Sequence, residues 1–412
     1  MIVEDAWGCP LTVPDERAGP AVERLVDSYY RFAPDLVGDL RAAVATGAPL
    51  ARCFEGYAHV LSHRAEGWAQ ARLIHAALAA EAPAFGRREQ RHIEALGHWS
   101  HGELAAAQRC WEDLLAEQPT EPLALRLGHF VLFNAGELGR MAAAVEAARS
   151  AWSADAPRRS YLDGMAAFAA EERGDLASAE RWGRAAVEAD GGDLWSIHAV
   201  AHVFEMSGRT SSGRRWIDER TPAIEAGGSF SNHLWWHRAL CALAAGDHDE
   251  VLDLYDRRIY AGESQEGLDV TNAVAMLARL EVRGVDCGAR WAALAPACRA
   301  RWGHHSHPFN DCHFALGLAY GGEPGEAADF VASMQAWSDG HHDDAALVLR
   351  GVGLGVARGC VAYAERDHVL AARELGLVTA ELRWLGGSHA QRDVFRQLRV
   401  DAERRAAPGS AG

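Results

Sequence analysis

The sequence lacks the features that would place it in several large classes of protein. It has no block of lysine or arginine, and its 41 basic against 57 acidic residues give a net charge of −16. This argues against nucleic acid or an anionic membrane as the partner, because phosphate binding needs clustered cations. No apolar run approaches the roughly 18 residues of a membrane span, and the acidic start MIVEDAWGCP is unlike a signal peptide. We therefore expect a soluble, cytoplasmic protein.

Sequence motifs for zinc fingers, for nucleophilic catalysis and for nucleotide binding are also missing. The eight cysteines are scattered without a CxxC pair or zinc-finger spacing, which predicts reduced thiols in the core. There is no GxSxG, and close helix packing explains the glycines of 351–355 better than nucleotide binding does. Runs of β-branched residues are absent, whereas Ala, Leu, Glu and Arg dominate, and this composition predicts helix throughout.

What the sequence does contain is a repeat. Glycines followed by polar residues and a new alanine-rich run recur along the chain, with a last turn expected at Arg366 and Asp367. They are Gly67, Gly102, Gly136, Gly174, Gly208, Gly246, Gly284 and Gly322. The steps are 35, 34, 38, 34, 38, 38 and 38 residues, which fits a pair of helices with two turns in each unit.

The repeat resembles a known one. In segment 97–119, GHWSHGELAAAQRCWEDLLAEQP, the positions of Gly102, Ala107 and Trp111 resemble those of a tetratricopeptide repeat. Four further segments are similar to the tetratricopeptide repeat protein 38 family: WSIHAVAHVFEMSGR (195–209), NHLWWHRAL (232–240), FNDCHFALG (309–317) and GGSHAQRDVF (386–395). The resemblance covers nearly the whole chain and implies an all-α solenoid of about nine antiparallel helix pairs. It implies no particular reaction.

We expect one repeat domain over residues 1–404. Residues 1–47 would form N-terminal cap helices, 48–385 the repeats and 386–404 a closing helix, with a disordered tail over 405–412. No linker rich in proline, glycine or serine divides the chain.

The resemblance also implies which side chains line the concave surface. In such repeats the first helix of each pair faces inward at about 13, 10, 6 and 3 residues before the turn glycine. This register selects Trp195, His198, His202 and Glu205, then His233 and Trp236, and in the two preceding units Tyr161, Glu171 and Arg126. It predicts a small-molecule pocket with aromatic walls, imidazoles and a carboxylate rather than a flat peptide track.

Other candidate ligand-binding groups lie nearby in the repeat or near its end. Asn232 and His237 accompany His233, and Asn310 precedes Asp311 and His313, where a helix cap is the structural alternative. Ser388, His389, Gln391 and Arg392 begin the last long helix. A helix N-terminus beside an arginine favours an anion.

Acid/base catalysis is the simplest chemistry for these residues. The candidate catalytic groups are His198, His202, Glu205, His233, Asp311 and His313. An imidazole oriented by a carboxylate can move a proton near neutral pH. The alternative is that each histidine is a core residue hydrogen-bonded between helices. The presence of several histidines on adjacent units weakens this alternative, because each buried imidazole needs a partner.

Metal binding is a further alternative. The pairs His198/His202 and His233/His237 have the HxxxH spacing of zinc-binding helices, but neither has the metalloprotease glutamate after its first histidine. We therefore expect no cofactor, and keep open a divalent metal held by His198, His202, Glu205 and His233. The loop histidines at 304, 305 and 307 are expected to be solvated or to cap a helix.

These residues together predict a concave, histidine-rich, aromatic-walled pocket that binds a small polar or anionic molecule. If the protein is an enzyme, which the sequence leaves open, its reaction would be hydrolytic or eliminative acid/base chemistry. The alternative is a non-enzymatic adaptor that holds a peptide or a protein helix in the groove. A homodimer also stays open.

Overall fold

The computed structural model describes residues 1–153, 158–262 and 264–407. In these ranges the only strands are β1 (Ile2–Glu4) and β2 (Pro10–Thr12), which pair antiparallel. Contacts divide the chain into two compact units, one of residues 1–133 with 137–234 and the other of residues 134–136 with 235 onward. We predicted a single domain; whether the two units act as one stays a prediction.

The first unit begins with the hairpin and continues as helices. Its helices are α1 (Ala18–Arg31), α2 (Leu36–Ala45), α3 (Pro49–Leu61), α4 (Ala65–Glu81), α5 (Arg87–Ser100), α6 (Leu104–Glu117), α7 (Pro122–Asn134), α8 (Leu138–Ala151), α9 (Arg159–Glu172), α10 (Leu176–Ala189), α11 (Leu194–Met206), α12 (Thr210–Asp218) and α13 (Thr221–Glu225). A 3-10 turn, Ala82–Ala84, follows α4. α1 and α2 lie within residues 1–47, the region predicted as the N-terminal cap, and their capping role stays a prediction.

Helix α14 (Phe230–Ala244) starts in the first unit and continues into the second. The helices after it are α15 (His248–Leu254), α16 (Gly267–Val282), α17 (Ala289–Arg299), α18 (Pro308–Gly321), α19 (Glu326–Gly340), α20 (Asp344–Val348), α21 (Leu354–Ala364), α22 (His368–Val378) and α23 (His389–Ala406). π-helical turns extend α15 over Tyr255–Ile259 and join α20 to α21 over Leu349–Gly353, and a 3-10 segment, Thr379–Leu385, follows α22.

The predicted fold class, an all-α solenoid of helix pairs, is confirmed. Apart from the short α13 and the final α23, the described helices from α3 onward form nine pairs, counting α20 and α21 as one: α3/α4, α5/α6, α7/α8, α9/α10, α11/α12, α14/α15, α16/α17, α18/α19 and α20–α21/α22. α23, predicted to close the array, continues to Ala406, and positions 408–412 of the predicted tail lie outside the described residues.

Most of the predicted turns are confirmed. Six glycines lie between the helices of a pair with φ from 67° to 84°, a region that favours glycine: Gly102, Gly136, Gly174, Gly208, Gly246 and Gly284. The last turn is at Arg366, with φ 66°. The prediction is wrong at Gly67, which lies inside α4, because the chain turns earlier at His63 (φ 50°). At Gly322 φ is −86°, and Gly325 has the positive φ instead.

Aspartates following these turns begin the second helices. Asp175 accepts a hydrogen bond from the main-chain N of Ser178 at 3.1 Å, and Asp247 accepts one from that of Glu250 at 3.1 Å. Asp367 caps α22 in the same way. Each carboxylate satisfies an N–H that the first turn of a helix leaves without a partner, so glycine or arginine ends one helix and aspartate starts the next.

Aromatic and thiol side chains fill the space between helices. In the first unit Trp111 is fully buried, with its ring 5.4 Å from that of Trp99 and 5.8 Å from that of Tyr57. All cysteines except the half-buried Cys241 are buried, as expected for core thiols. The helical stretch Asp344–Ala364 is long and apolar enough to cross a membrane, but a core helix also meets this test, and 67% of the apolar window is buried.

Candidate functional site

Helix α11 places two histidines on one face. Asp193 caps the helix, accepting hydrogen bonds from the main-chain N of Trp195 at 3.0 Å and of Ser196 at 3.1 Å. Burial raises the pKa of Asp193 to about 6. His198 and His202 are four residues apart, so their side chains lie one above the other, and they are 3% and 0% exposed.

A glycine loop places the third histidine. Gly228 donates its main-chain N–H to the Phe32 carbonyl at 2.7 Å, and a Cβ on Gly228 would lie 2.7 Å from that oxygen. A Cβ on Gly227 would lie 2.4 Å from Cδ1 of Leu194. Only glycine permits both approaches without a shift, and α14 then begins close to the start of α11. His233, in the first turn of α14, is 4% exposed.

The three imidazoles meet through the same ring atom. Nε2 of His198 lies 2.8 Å from Nε2 of His202 and 3.1 Å from Nε2 of His233. One ring nitrogen from each histidine lies within 4.8 Å of the others. We call His198, His202 and His233 the histidine cluster.

A buried carboxylate faces the cluster from α9. Oε2 of Glu171 lies 3.4 Å from Nδ1 of His202, on the side of the ring away from His198, and Glu171 is 1% exposed. Burial alone would lower the pKa of His202, but the negative charges of Glu171, Glu205 and Glu172 outweigh it and raise that pKa above its usual value. The arrangement therefore favours a proton on Nδ1 of His202.

Aromatic rings surround the cluster. The ring of Phe168 stacks against His198 with centroids 5.6 Å apart, and Trp195 lies 5.2 Å from the same imidazole. Phe230 lies 5.2 Å from His198 and 5.3 Å from His233, and Phe32 stacks on Phe230 at 4.2 Å. These rings shield the imidazoles from solvent, so charge interactions inside are stronger than in water.

The other predicted residues of the first unit lie around this group. The guanidinium carbon of Arg126 is 4.3 Å from the centroid of Trp195, and burial lowers the pKa of Arg126. Tyr161 stacks on Tyr30 at 4.7 Å. Glu205, one turn after His202, and Asn232, beside His233, are both half-buried. The structure thus brings His198, His202, His233 and Glu171 together. Trp195 is one of the surrounding aromatic rings, and Arg126 lies against it.

The remaining candidates belong to the second unit. Oδ1 of Asp311 lies 3.2 Å from Nδ1 of His305, and burial raises the pKa of Asp311. His313 donates from Nδ1 to the Phe309 carbonyl at 2.8 Å, and burial lowers the pKa of His313 to about 4. α18 begins directly after His307, so Asn310 and Asp311 lie in its first turn rather than at its cap.

Other second-unit candidates are tied into helix packing. Arg279 lies over the ring of the fully buried Trp236 at 5.4 Å, and Trp236 contacts His237 edge-on. Ser388 caps α23 in a box with Gln391, and Arg392, which is buried, donates to the Gly387 carbonyl. His389 is the first residue of α23. The cap confirms the predicted start of the helix; the predicted anion site stays a prediction.

Three neighbours were not predicted. Phe230 precedes His233 by three residues, so helical spacing could have indicated it. Phe32 comes from the end of α1, where no repeat register reaches. His305 was expected to be solvated or to cap a helix, but it is fully buried beside Asp311, because α18 begins immediately after its loop.

No family model matches the chain. Among solved structures, the chain is similar to an apo form of RapI, with 10% identity over 88% of this chain and 99% of that one and a TM-score of 0.38. It is similar to human IFIT1, in a dimer with m7Gppp-AAAA, with 13% identity over 97% of each chain and a TM-score of 0.39. It is also similar to the P58(IPK) TPR domain, with 13% identity over 82% of this chain and 93% of that one and a TM-score of 0.20. With every TM-score below 0.5, no function is carried over from these proteins.

Proposed function

We propose that this helical-repeat protein binds a small polar or anionic molecule at the histidine cluster. The observation that supports this most is the meeting of three buried imidazoles beside the buried carboxylate of Glu171. Charged or protonatable groups placed against one another in a dry interior raise the free energy of the fold. Such groups are typical of functional sites, where this cost is offset by binding or catalysis.

The chemistry that suits the site is proton transfer. Glu171 faces Nδ1 of His202 and can hold that ring in one orientation, with Nε2 directed to His198. A histidine oriented by a carboxylate is the usual arrangement for general acid/base catalysis. We propose hydrolytic or eliminative chemistry on this basis, with His198 and His233 contacting the bound molecule.

The main alternative is an adaptor that holds a peptide or a protein helix. It is supported by the array of helix pairs itself, a fold that commonly binds extended partners. On this alternative the histidines contribute to the core only. We further propose membership of the tetratricopeptide repeat protein 38 family, on the four sequence segments alone; relatives gathered with this sequence should keep all three histidines of the cluster.

Thermal-shift measurements with inorganic phosphate, small carboxylates and phosphate monoesters test the small-molecule proposal. A compound that binds at the site raises the melting temperature, because it binds the folded state only. The shift should be lost in His233→Gln and kept in His92→Gln, a control in which the replaced histidine is also fully buried and lies near a carboxylate, Glu121. Equal shifts in both variants, or no shift with any of these compounds, would contradict the proposal.

A further inference from the structure

The contact geometry of His198 is unusual for a hydrogen-bonded core histidine. A ring nitrogen carries either one N–H or one lone pair, which points outward in the plane of the ring. Nε2 of His198 has two Nε2 neighbours, at 2.8 Å and 3.1 Å. A single N–H···N bond can serve only one of them. A cation between the three rings would instead accept a lone pair from each nitrogen.

We propose that the histidine cluster is a binding site for a divalent transition metal of the zinc type, with Nε2 of His198, His202 and His233 as ligands. Zinc binds imidazole nitrogen at about 2.0–2.1 Å, and tetrahedral coordination then places the nitrogens about 3.3 Å apart. The observed separations of 2.8 Å and 3.1 Å require the rings to move outward by only a few tenths of an ångström. The three ligands come from two helices, α11 and α14.

Glu171 has the position of a supporting group for such a metal. Metal-binding histidines commonly present their second ring nitrogen to a carboxylate, which fixes the tautomer and the ring orientation. Oε2 of Glu171 lies 3.4 Å from Nδ1 of His202, while Nε2 of the same ring points into the cluster. A proton held on Nδ1 places the lone pair on Nε2, the atom proposed to bind the metal.

The donor set selects the class of metal. Three imidazoles suit zinc, copper, nickel or cobalt, whereas calcium and magnesium need oxygen ligands. The metal site itself does not require the function proposed above.

The experiment uses the full-length protein prepared without a histidine tag and freed of metal with a chelator. Zn²⁺ is titrated in competition with a chromophoric chelator, and Co²⁺ is added separately to record its visible spectrum. One tightly bound Zn²⁺ per chain and the strong absorption of four-coordinate Co²⁺ are expected. The chain has 20 histidines, so weak binding elsewhere must be separated from the site by variants.

Three variants provide this separation. His198→Gln should lose the tight site and the Co²⁺ spectrum. Glu171→Gln keeps all three ligands and should weaken Zn²⁺ binding about 10- to 100-fold, the usual effect of removing a supporting carboxylate. His92→Gln removes a fully buried histidine that also lies near a carboxylate, and should bind as the wild type does. If His198→Gln fails to fold, Glu171→Gln still tests the proposal, because it changes no ligand.

The proposal is overturned if the wild type binds no Zn²⁺ tightly, or if tight binding survives in His198→Gln with a native circular dichroism spectrum. It is equally overturned if Glu171→Gln and His92→Gln weaken binding to the same extent. Because none of the compounds of the thermal-shift test is added in the titration, these outcomes leave the small-molecule proposal to that test.

Discussion

If His202 and the neighbouring carboxylate of Glu171 serve function rather than stability, the two side chains should be replaceable together by apolar residues. The pair to change is Glu171 and His202, which are 1% and 0% exposed. Glu171→Met and His202→Leu are made singly and together, and all measurements are made with a chelator present. We expect each single change to destabilise the protein, because it leaves the other group buried without the partner that lies 3.4 Å away.

The distance between the two groups gives the size of the effect. With 3.4 Å between Oε2 of Glu171 and Nδ1 of His202, and an effective dielectric constant of about 20, Coulomb attraction in the ionised pair is about 5 kcal/mol. Loss of one partner of a buried pair typically costs about 3–5 kcal/mol, whereas exchange of the whole pair for apolar residues is neutral or stabilising by about 1–4 kcal/mol. The double variant should therefore be at least as stable as the wild type.

Urea unfolding of the four proteins at neutral pH measures the free energies of unfolding and closes the double-mutant cycle. A large favourable coupling, with the double variant more stable than either single variant, is expected. If the double variant is instead as unstable as the worse single variant, the two side chains are needed for packing, and the reasoning that assigns them a functional role is refuted.

Two further predictions concern the loop that positions His233 and the acid stability of the second unit. Gly228→Ala should cost about 1–3 kcal/mol in unfolding free energy by clashing with the Phe32 carbonyl, whereas Gly139→Ala, in the open surface of α8, should be neutral or stabilising by about 0.5–1 kcal/mol. Burial lowers the pKa of His313 from 6.5 to about 4, so as the pH falls the unfolded chain binds a proton before the folded chain does. Stability should therefore decrease by up to about 3 kcal/mol as the pH falls from 6.5 to about 4. In His313→Phe, urea midpoints measured across that range should lose this part of the pH dependence.

The repeat could be predicted because its turns need a special backbone conformation. Glycine adopts positive φ without steric cost, so a regular series of glycines marks a regular series of turns. The prediction failed where another residue has that conformation: His63 turns the chain before α4 with φ 50°. A sequence pattern cannot show that packing holds a non-glycine residue in this region.

The N-terminal hairpin could not be predicted for a different reason. Strands of three residues are too short for a period of two to be recognised. Their position depends instead on a distant contact: Thr12 donates its main-chain N–H to Glu89 at 2.8 Å and its hydroxyl to the same carboxylate at 2.9 Å. Nothing near Thr12 in the sequence indicates this partner.

The candidate site, too, could be predicted only in part. Four-residue spacing on α11 predicted that His198 and His202 share a face, and the repeat register indicated His233 and Glu171 as neighbours. The distances that give the cluster its chemistry depend on Gly227, which lies against Leu194 of α11, and on Gly228, which lies against the Phe32 carbonyl. These are tertiary contacts, so the sequence indicated the participants without their geometry.

Comparison between repeats indicates that packing alone does not require histidine at these positions. His202 lies six residues before its turn glycine, Gly208, and the corresponding residues before Gly136 and Gly174 are Phe130 and Phe168. Phe168 is buried and forms part of the aromatic wall. Since phenylalanine fills this position in two neighbouring units of the same fold, an apolar ring is sufficient there. An imidazole at 202, placed beside two others and a buried carboxylate, adds polar groups that the helix pair does not need, which is the reason to assign them to binding a ligand or a metal.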